Sequence, residues 1–161
     1  MFYRDTRGLE DYYTYQVQEI GNAGTAYIGD HNGQLTLAKN LISYESTAMP
    51  YSLDLVYNTS YDSNHFRPLG DVHTKNYDMC LGRGWKLSAQ ETVTELSLVN
   101  LGTTENYLVY NDSDGTEHYF KQKEAGSSVY EDEDGLNLTI TKNGSDFTMK
   151  DKKDNQKYGK R

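Results

Sequence analysis

The sequence predicts an all-β protein: an antiparallel meander of hairpins that forms one or two twisted sheets, with almost no helix. Three observations carry this prediction. Apolar and polar residues alternate with a period of two in several runs. Gly, Asn and Asp separate the runs in the second half at intervals of roughly ten residues. The chain also contains 15 tyrosines, and tyrosine is enriched in strands.

The first half of the chain contains four runs with strand character and one long aperiodic stretch. The four runs are residues 12–20, 25–28, 34–38 and 53–61. Asn32-Gly33 is the turn signal between the second and third runs, which therefore form a hairpin pattern. An irregular stretch ends at Pro50, and residues 62–80 lack any periodicity. We interpret residues 62–80 as a long loop, a place where function is often found.

The second half consists of short strands separated by turn residues. The predicted strands are 86–99, 106–111, 116–122, 127–131, 136–142, 146–150 and 156–159. Leu136, Leu138 and Ile140 alternate with polar residues, so they predict a strand with one buried face. A shift of register by one residue would expose all three aliphatic side chains.

A structural anchor is predicted at Gly82, Gly84 and Trp85. The two glycines permit a positive φ or a close approach of another strand. Trp85 is the only tryptophan of the chain, and Leu87 and Ala89 share its face, with Lys86 on the other. The pattern predicts an internal tryptophan, whose replacement by alanine would cost about 3–5 kcal/mol of stability.

Composition and charge restrict the classes of partner. The formal net charge of −8 argues against nucleic acid, because binding to phosphates requires a basic surface. No run of 18 apolar residues occurs, so no membrane span is predicted, and we expect no signal peptide at Met1–Asp5, because this segment lacks an apolar run. Cys80 is the single cysteine. It cannot form a disulfide within the chain, and we interpret it as a small buried hydrophobic residue.

Two acidic turns raise the question of calcium. They are Asp112-Ser113-Asp114-Gly115 and Asp132-Glu133-Asp134-Gly135. Aligned on their glycines, both fail the EF-hand pattern, because tyrosine occupies position 1 and lysine or threonine position 12. Turn geometry alone explains Asp-Gly at hairpin tips. The sequence does not decide whether these turns bind calcium.

Catalytic and metal-binding signatures are weak. His65 and His73 share the predicted loop with Asp62 and Asp71, which makes a zinc or acid–base site conceivable there. The histidines, however, do not have the spacing of metal ligands. No nucleophile elbow, zinc-protease or phosphate-binding motif occurs. We predict no enzyme activity, no catalytic residue, no metal site and no cofactor.

The tyrosines allow two interpretations. Exposed tyrosines on a sheet could form a carbohydrate-binding platform, and the candidates are Tyr12, Tyr13, Tyr15, Tyr107, Tyr110 and Tyr119. The chain would then be a carbohydrate-binding β-sandwich module, with glycans or the cell wall as partners. Alternatively, these tyrosines form cross-strand aromatic pairs that need no ligand. The second interpretation is favoured.

Short motifs along the chain resemble, in their order and spacing, the segment that leads into the repeats of Rhs/YD-repeat proteins. The residues that carry the resemblance are 8–15, 21–27, 32–35, 49–58, 81–85, 114–120 and 151–158. The match covers nearly the whole chain and is nearest to versions from Clostridia-like Gram-positive bacteria. The chain departs from the family in one respect, because it contains no full Gly-x-x-x-Arg-Tyr-x-Tyr-Asp repeat.

The resemblance implies a non-catalytic structural segment of a bacterial cell-surface or secreted protein. In that family such a segment begins a spiralling β-shell. In the polymorphic toxins of the family, the shell can enclose a C-terminal toxin domain. No catalytic residue of the family maps onto this chain. We therefore expect residues 1–11 to be a flexible N-terminus and 12–161 to be a single β-rich domain, a fragment of a much larger protein. Its main partner would be the rest of its own parent chain.

Strand edges predict a second kind of contact. A chain cut from a continuing sheet exposes unpaired N–H and C=O groups on its terminal strands, here near residues 12–18 or 146–159. Such edges tend to pair with another copy. A weak homodimer formed by strand-edge pairing is therefore expected.

Overall fold

The computed structural model of the chain describes residues 8–45, 47, 50–59, 81–82, 84–100, 103–133, 135–151 and 156–159. In this part of the chain it contains twelve strands, with a 3-10 turn at Gly21–Ala23. All the strands lie in two antiparallel sheets, so the predicted all-β meander with almost no helix is confirmed. None of the described helical residues forms a helix long and apolar enough to cross a membrane.

Each sheet follows the order of its strands along the chain. Sheet 1 has the order β1 (Tyr15–Glu19), β2 (Thr25–Gly29), β3 (Leu35–Tyr44), β4 (Tyr51–Asn58), β5 (Trp85–Leu87). The 3-10 turn, Gly21–Ala23, joins β1 to β2. Sheet 2 runs from β6 (Thr92–Asn100) through β7 (Thr103–Asn111), β8 (Glu117–Gln122), β9 (Val129–Asp132), β10 (Leu138–Asn143) and β11 (Asp146–Asp151) to β12 (Gln156–Gly159). Both sheets are meanders, in which each strand pairs with the next one along the chain.

The chain divides into two compact units. Unit 1 contains the residues up to Glu91 together with the turn Asp112–Glu117, and unit 2 contains the remainder. Sheet 1 therefore belongs to unit 1. The prediction of a single β-rich domain over 12–161 stays a prediction, because compactness does not decide whether the units fold independently.

Sheet 1 buries its polar face. In the β3–β4 pairing Thr36 lies opposite Asn58, and in the β4–β5 pairing Val56 lies opposite Lys86. These four side chains are 2–3 % exposed. The opposite face of the same strands carries the apolar row Leu37, Tyr57 and Trp85, which is only partly buried. The deepest burial in unit 1 is thus that of polar groups, which must bond to one another.

Sheet 2 has a conventional aromatic and aliphatic core. One face contributes Leu108, Tyr110, Phe120, Tyr130, Ile140, Phe147 and Met149, each at most 8 % exposed. A second cluster, on alternate positions of β7 and β8, consists of Tyr107, Val109 and Tyr119, with Leu96 and Leu98 against it. Tyrosine supplies much of both clusters, as expected for a chain with few aliphatic residues.

Three stretches of the chain differ from the sequence-based prediction. The sequence predicts an irregular stretch before Pro50, whereas β3 continues as far as Tyr44. A bulge at Leu41 interrupts the pairing of β3 with β4 and so breaks the period-two pattern. The run 86–99 was predicted as one strand, but it forms β5 and β6, separated by residues 88–91. Of the predicted one-faced strand 136–142, Ile140 is buried, while Leu136 lies outside β10 and is exposed.

Candidate functional site

The turn between β7 and β8 is the organising element of the buried polar group in unit 1. Asp112 Oδ1 accepts hydrogen bonds from the backbone N–H groups of Asp114, Gly115 and Thr116 at 2.9–3.1 Å. Asp114 Oδ1 accepts from the Thr116 N–H at 3.0 Å and from its hydroxyl at 2.6 Å. Asp in such sequences folds the chain back by bonding to its own backbone. These two carboxylate oxygens, considered above for calcium, thus hold the turn together.

Asn58 connects this turn to sheet 1. Its side chain is 2 % exposed. Its Oδ1 accepts from the Gly8 N–H at 3.2 Å and from the Thr36 hydroxyl at 2.7 Å. Its Nδ2 donates to the Asp114 carbonyl at 2.9 Å. The buried amide of Asn58 therefore joins three segments of the chain. We use the name turn network for the group of residues around it, which consists of Gly8, Thr36, Asn58, Lys86, Asp112, Asp114 and Thr116.

Gly8 brings the N-terminal segment into the turn network. Its φ is +73°, and a Cβ atom added there would lie 2.0 Å from Thr116 Oγ1 and 2.3 Å from Asp114 Oδ1. Only glycine fits this position without displacing the turn. The hydroxyl of Tyr15 supports the segment by accepting from the Glu10 N–H at 2.9 Å. Residues 1–7 of the predicted flexible N-terminus lie outside the described residues, whereas Gly8 and Glu10 are bonded to other parts of the protein.

Lys86 is the buried cation of the turn network. It is 2 % exposed, and its Nζ donates to the carbonyl oxygen of Asp112. Burial lowers the pKa of the ammonium group, and the negative charges of Asp112, Asp114 and Glu91 act in the opposite direction. The sequence placed Lys86 on the face opposite Trp85, and the structure makes this face the more deeply buried one.

Asp114 titrates near neutral pH. Burial, in the first place, and then the charge of Asp112 raise the pKa of the Asp114 carboxyl to about 7. A hydrogen bond with Asp112 raises it further, while the bonds from Thr116 lower it. Two neighbouring carboxyl groups in a buried turn disfavour double ionisation. The turn network therefore changes its charge within the physiological pH range.

A small cavity lies beside the turn network. Its volume is about 10 Å³, and it is lined by Gly8, Tyr13, Tyr15, His31 and Thr36 with Asn32 and Gln34. This is about the smallest volume that can hold one water. Among the described residues, no three His, Cys, Asp or Glu side chains are grouped so that they could hold a metal ion. The arrangement fixes a turn on a sheet.

The predicted anchor at Gly82, Gly84 and Trp85 leads into β5 and borders the turn network. Gly84 is buried with φ +85°, and an added Cβ would lie 2.5 Å from Cε2 of Tyr57. Its carbonyl accepts from the Asn58 N–H at 3.0 Å. Gly82 has φ +101°, and its carbonyl accepts from the Trp85 N–H at 3.1 Å. The corner thus helps to place Asn58.

Trp85 is only partly buried, and this lowers the effect expected from its removal. Its ring packs against that of Tyr57, with 5.1 Å between the centroids. Trp85→Ala should reduce the free energy of unfolding by about 1–3 kcal/mol, less than a fully buried ring would give. Urea denaturation followed by circular dichroism measures this. Tyr12→Ala, at a ring 64 % exposed, is the control and should change little; equal effects of the two would contradict the anchor.

The six tyrosines proposed for a carbohydrate platform do not share one surface. Tyr107, Tyr110 and Tyr119 are buried in sheet 2. Tyr12 is exposed, Tyr13 and Tyr15 are partly buried, and the Tyr13 ring is stacked on His31 with 3.9 Å between the centroids. The buried three follow the favoured interpretation as packed aromatics. Of these six, only Tyr12 and Tyr13, next to His31, present an aromatic surface that could contact a sugar.

The remaining sequence candidates are scattered. His118 is buried in β8, with its ring near that of Tyr110, and His31 is exposed. His65, His73, Cys80 and the predicted loop 62–80 lie outside the described residues. Sequence reasoning missed Asn58 and Lys86 as buried residues. Asn58 lies two residues after Val56, on the same face of β4, and Lys86 lies opposite Val56 in the β4–β5 pairing.

Comparisons with known proteins leave the family open. No model of a protein family, no curated protein and no solved structure shows a significant match to this chain. The resemblance to Rhs/YD-repeat proteins therefore rests on the motifs of the sequence alone. It stays a prediction.

Proposed function

We propose that this chain is a non-catalytic structural β-scaffold segment. The observation that carries the proposal is that the buried polar groups of the turn network bond to one another. Asn58 bonds to three groups of the protein, and Asp112 Oδ1 accepts three backbone N–H groups. A catalytic site instead leaves polar groups directed at the position of a substrate. The buried polar groups of unit 1 therefore serve to fix the backbone.

The finer proposal is that the parent is a bacterial Rhs/YD-repeat protein, secreted or displayed on the cell surface. The motif order of the sequence supports it, and a meander of strands in chain order is a suitable start for a longer sheet. In this proposal the segment begins a β-shell that encloses a C-terminal toxin. The partner is the rest of the parent chain.

The coding sequence that follows residue 161 tests the family. We expect tandem repeats containing Tyr-Asp, with a toxin domain after them. An unrelated catalytic domain that depends on this segment for its own active site would overturn the proposal. A second experiment tests the function biochemically. The purified chain is titrated with soluble glycans while the fluorescence of tyrosine and Trp85 is recorded.

The glycan titration separates the scaffold from the carbohydrate-binding alternative. A scaffold predicts no saturable change in fluorescence. Binding that Tyr12→Ala abolishes would favour the alternative, because Tyr12 and Tyr13 form the exposed aromatic surface beside His31. Tyr44→Ala is the matched control, since Tyr44 is 66 % exposed and Tyr12 64 %.

A further inference from the structure

The far half of the β3–β4 hairpin extends beyond the rest of sheet 1. β2 pairs only with Leu35–Ala38 of β3, and β5 pairs only with Leu55–Tyr57 of β4. Residues 39–44 and 51–54 consequently form a two-stranded ribbon, which we call the ribbon. Among the described residues no strand pairs with the outer edge of residues 39–44. An edge of this kind presents backbone groups that can pair with another strand.

The two faces of the ribbon differ in polarity. On one face Asn40 lies opposite Asp54 and Ser43 opposite Ser52. Asn40 Nδ2 donates to Asp54 Oδ1 at 2.7 Å and to Ser52 Oγ at 2.9 Å, which satisfies this polar face internally. On the other face Ile42 lies opposite Leu53, and Tyr44 lies opposite Tyr51. The ribbon is therefore amphipathic.

The apolar face of the ribbon is open. Ile42 is 59 % exposed, Tyr44 66 % and Tyr51 51 %, and Leu41 at the bulge is 44 % exposed. Single apolar residues at a surface are ordinary, but contiguous ones indicate a contact surface. From the usual areas of such side chains, these four offer roughly 300–400 Å². Standard stable interfaces bury about 800 Å² per partner, so this surface fits a weak association.

We propose that the ribbon pairs with the ribbon of a second copy of this chain. The segment 39–44 carries a single charge, Lys39, in a protein with a net charge of −8. An antiparallel two-fold pairing centred between Leu41 and Ile42 sets Lys39 opposite Tyr44 of the second copy. No like charges then face each other, and a cation lies beside an aromatic ring, which is favourable.

The same pairing extends the apolar face across both copies. Leu41 of one copy lies opposite Ile42 of the other, and Asn40 lies opposite Ser43. The result is a four-stranded sheet whose apolar side chains adjoin across the two-fold axis, an isologous contact. The bulge at Leu41 and the single lysine limit the length of the new ladder. Together with the small area, this sets the dissociation constant on the order of 100 μM.

Sedimentation equilibrium over roughly 10 μM to 1 mM tests the proposal. The mean mass should rise from monomer toward dimer in this range. Ile42→Lys introduces a charge on the apolar face opposite Leu41 of the second copy, so we expect at least about a tenfold weaker dimer, equivalent to 1.4 kcal/mol. Val17→Lys is the matched control. Val17 is also 59 % exposed, but it lies outside the ribbon, on β1, which is an edge strand of sheet 1.

Each outcome decides the proposal. A dimer weakened by Ile42→Lys and unchanged by Val17→Lys supports it. A monomer at 1 mM, or a dimer that Val17→Lys weakens as much, overturns it, and the second result would instead place the contact on β1, near the predicted edge at 12–18. Thermal melts confirm that both variants fold. If Ile42→Lys fails this check, Tyr44→Lys replaces it with the same expected result.

Discussion

The stability of unit 1 should fall by about 3–4 kcal/mol as the pH rises from 4 to 8. The cause is Asp114, whose pKa is raised from 3.8 to about 7 by burial and by Asp112. Between these two values the folded state holds a proton that the unfolded state has released. Asp114 therefore contributes stability that is full below pH 4 and is lost as the pH rises through 7.

Lys86 acts with the opposite sign. Because burial lowers its pKa, the folded state releases a proton that the unfolded state still holds between the lowered value and 10.5. The contribution of Lys86 to stability therefore rises with pH in that range, whereas the contribution of Asp114 falls as the pH rises from 4 to 8. Urea denaturation followed by Trp85 fluorescence reports on unit 1, which contains the only tryptophan.

The comparison with Asp114→Asn isolates the carboxyl group. This variant keeps the shape of the side chain and should flatten the dependence between pH 4 and 8 relative to the wild-type protein. Asp30→Asn, at an exposed position of unit 1, controls for the general effect of removing a negative charge. Parallel curves for the wild type and Asp114→Asn would contradict the assignment of the pH dependence to Asp114.

Asn58→Ala should lower the free energy of unfolding by about 3–4 kcal/mol. The change leaves three buried groups without their partner: the Gly8 N–H, the Thr36 hydroxyl and the Asp114 carbonyl. Each buried group left unsatisfied costs about 1–3 kcal/mol, and water admitted to the site recovers part of this. Chemical denaturation at pH 6 measures the loss.

Asn40→Ala is the matched control for this prediction. Asn40 is also an asparagine of sheet 1 that bonds to two side chains, Ser52 and Asp54, but it is exposed. Water replaces those bonds, so the expected loss is below about 1 kcal/mol. Similar losses for the two variants would show that Asn58 does not hold the turn network together.

Local patterns predicted most of the fold. Alternation and Asn-Gly or Asp-Gly turns indicated strands at nearly all the observed positions, because both signals are properties of short segments. The far half of β3 was not predicted, because the bulge at Leu41 shifts the alternation of apolar and polar residues by one residue. The break between β5 and β6 was not predicted either, because Ser88–Glu91 contains neither Gly nor Pro.

The candidate site was predictable only in part. The run Asp112–Gly115 identified a turn, and the geometry of that turn was the favoured explanation for its acidic residues. The contacts of Asn58 with Gly8 and Asp114 join residues 50 and 56 positions apart. No pattern within one strand contains that information. Lys86 was placed on the correct side of β5, but burial of that side depends on the distant turn.

The composition of unit 1 has a consequence for synthesis on the ribosome. The unit is discontinuous, since Asp112–Glu117 follow twenty residues, Thr92–Asn111, that belong to unit 2. Chains elongate at about 5–20 residues per second, so the strands of sheet 1 emerge before the carbonyl groups that Lys86 and Asn58 will bond to. Until Glu117 has left the exit tunnel, sheet 1 lacks these acceptors. The nascent chain therefore completes unit 1 late, after much of the β6–β7 hairpin has been made, and a truncated chain ending at Glu91 would retain a polar face with no turn to cover it.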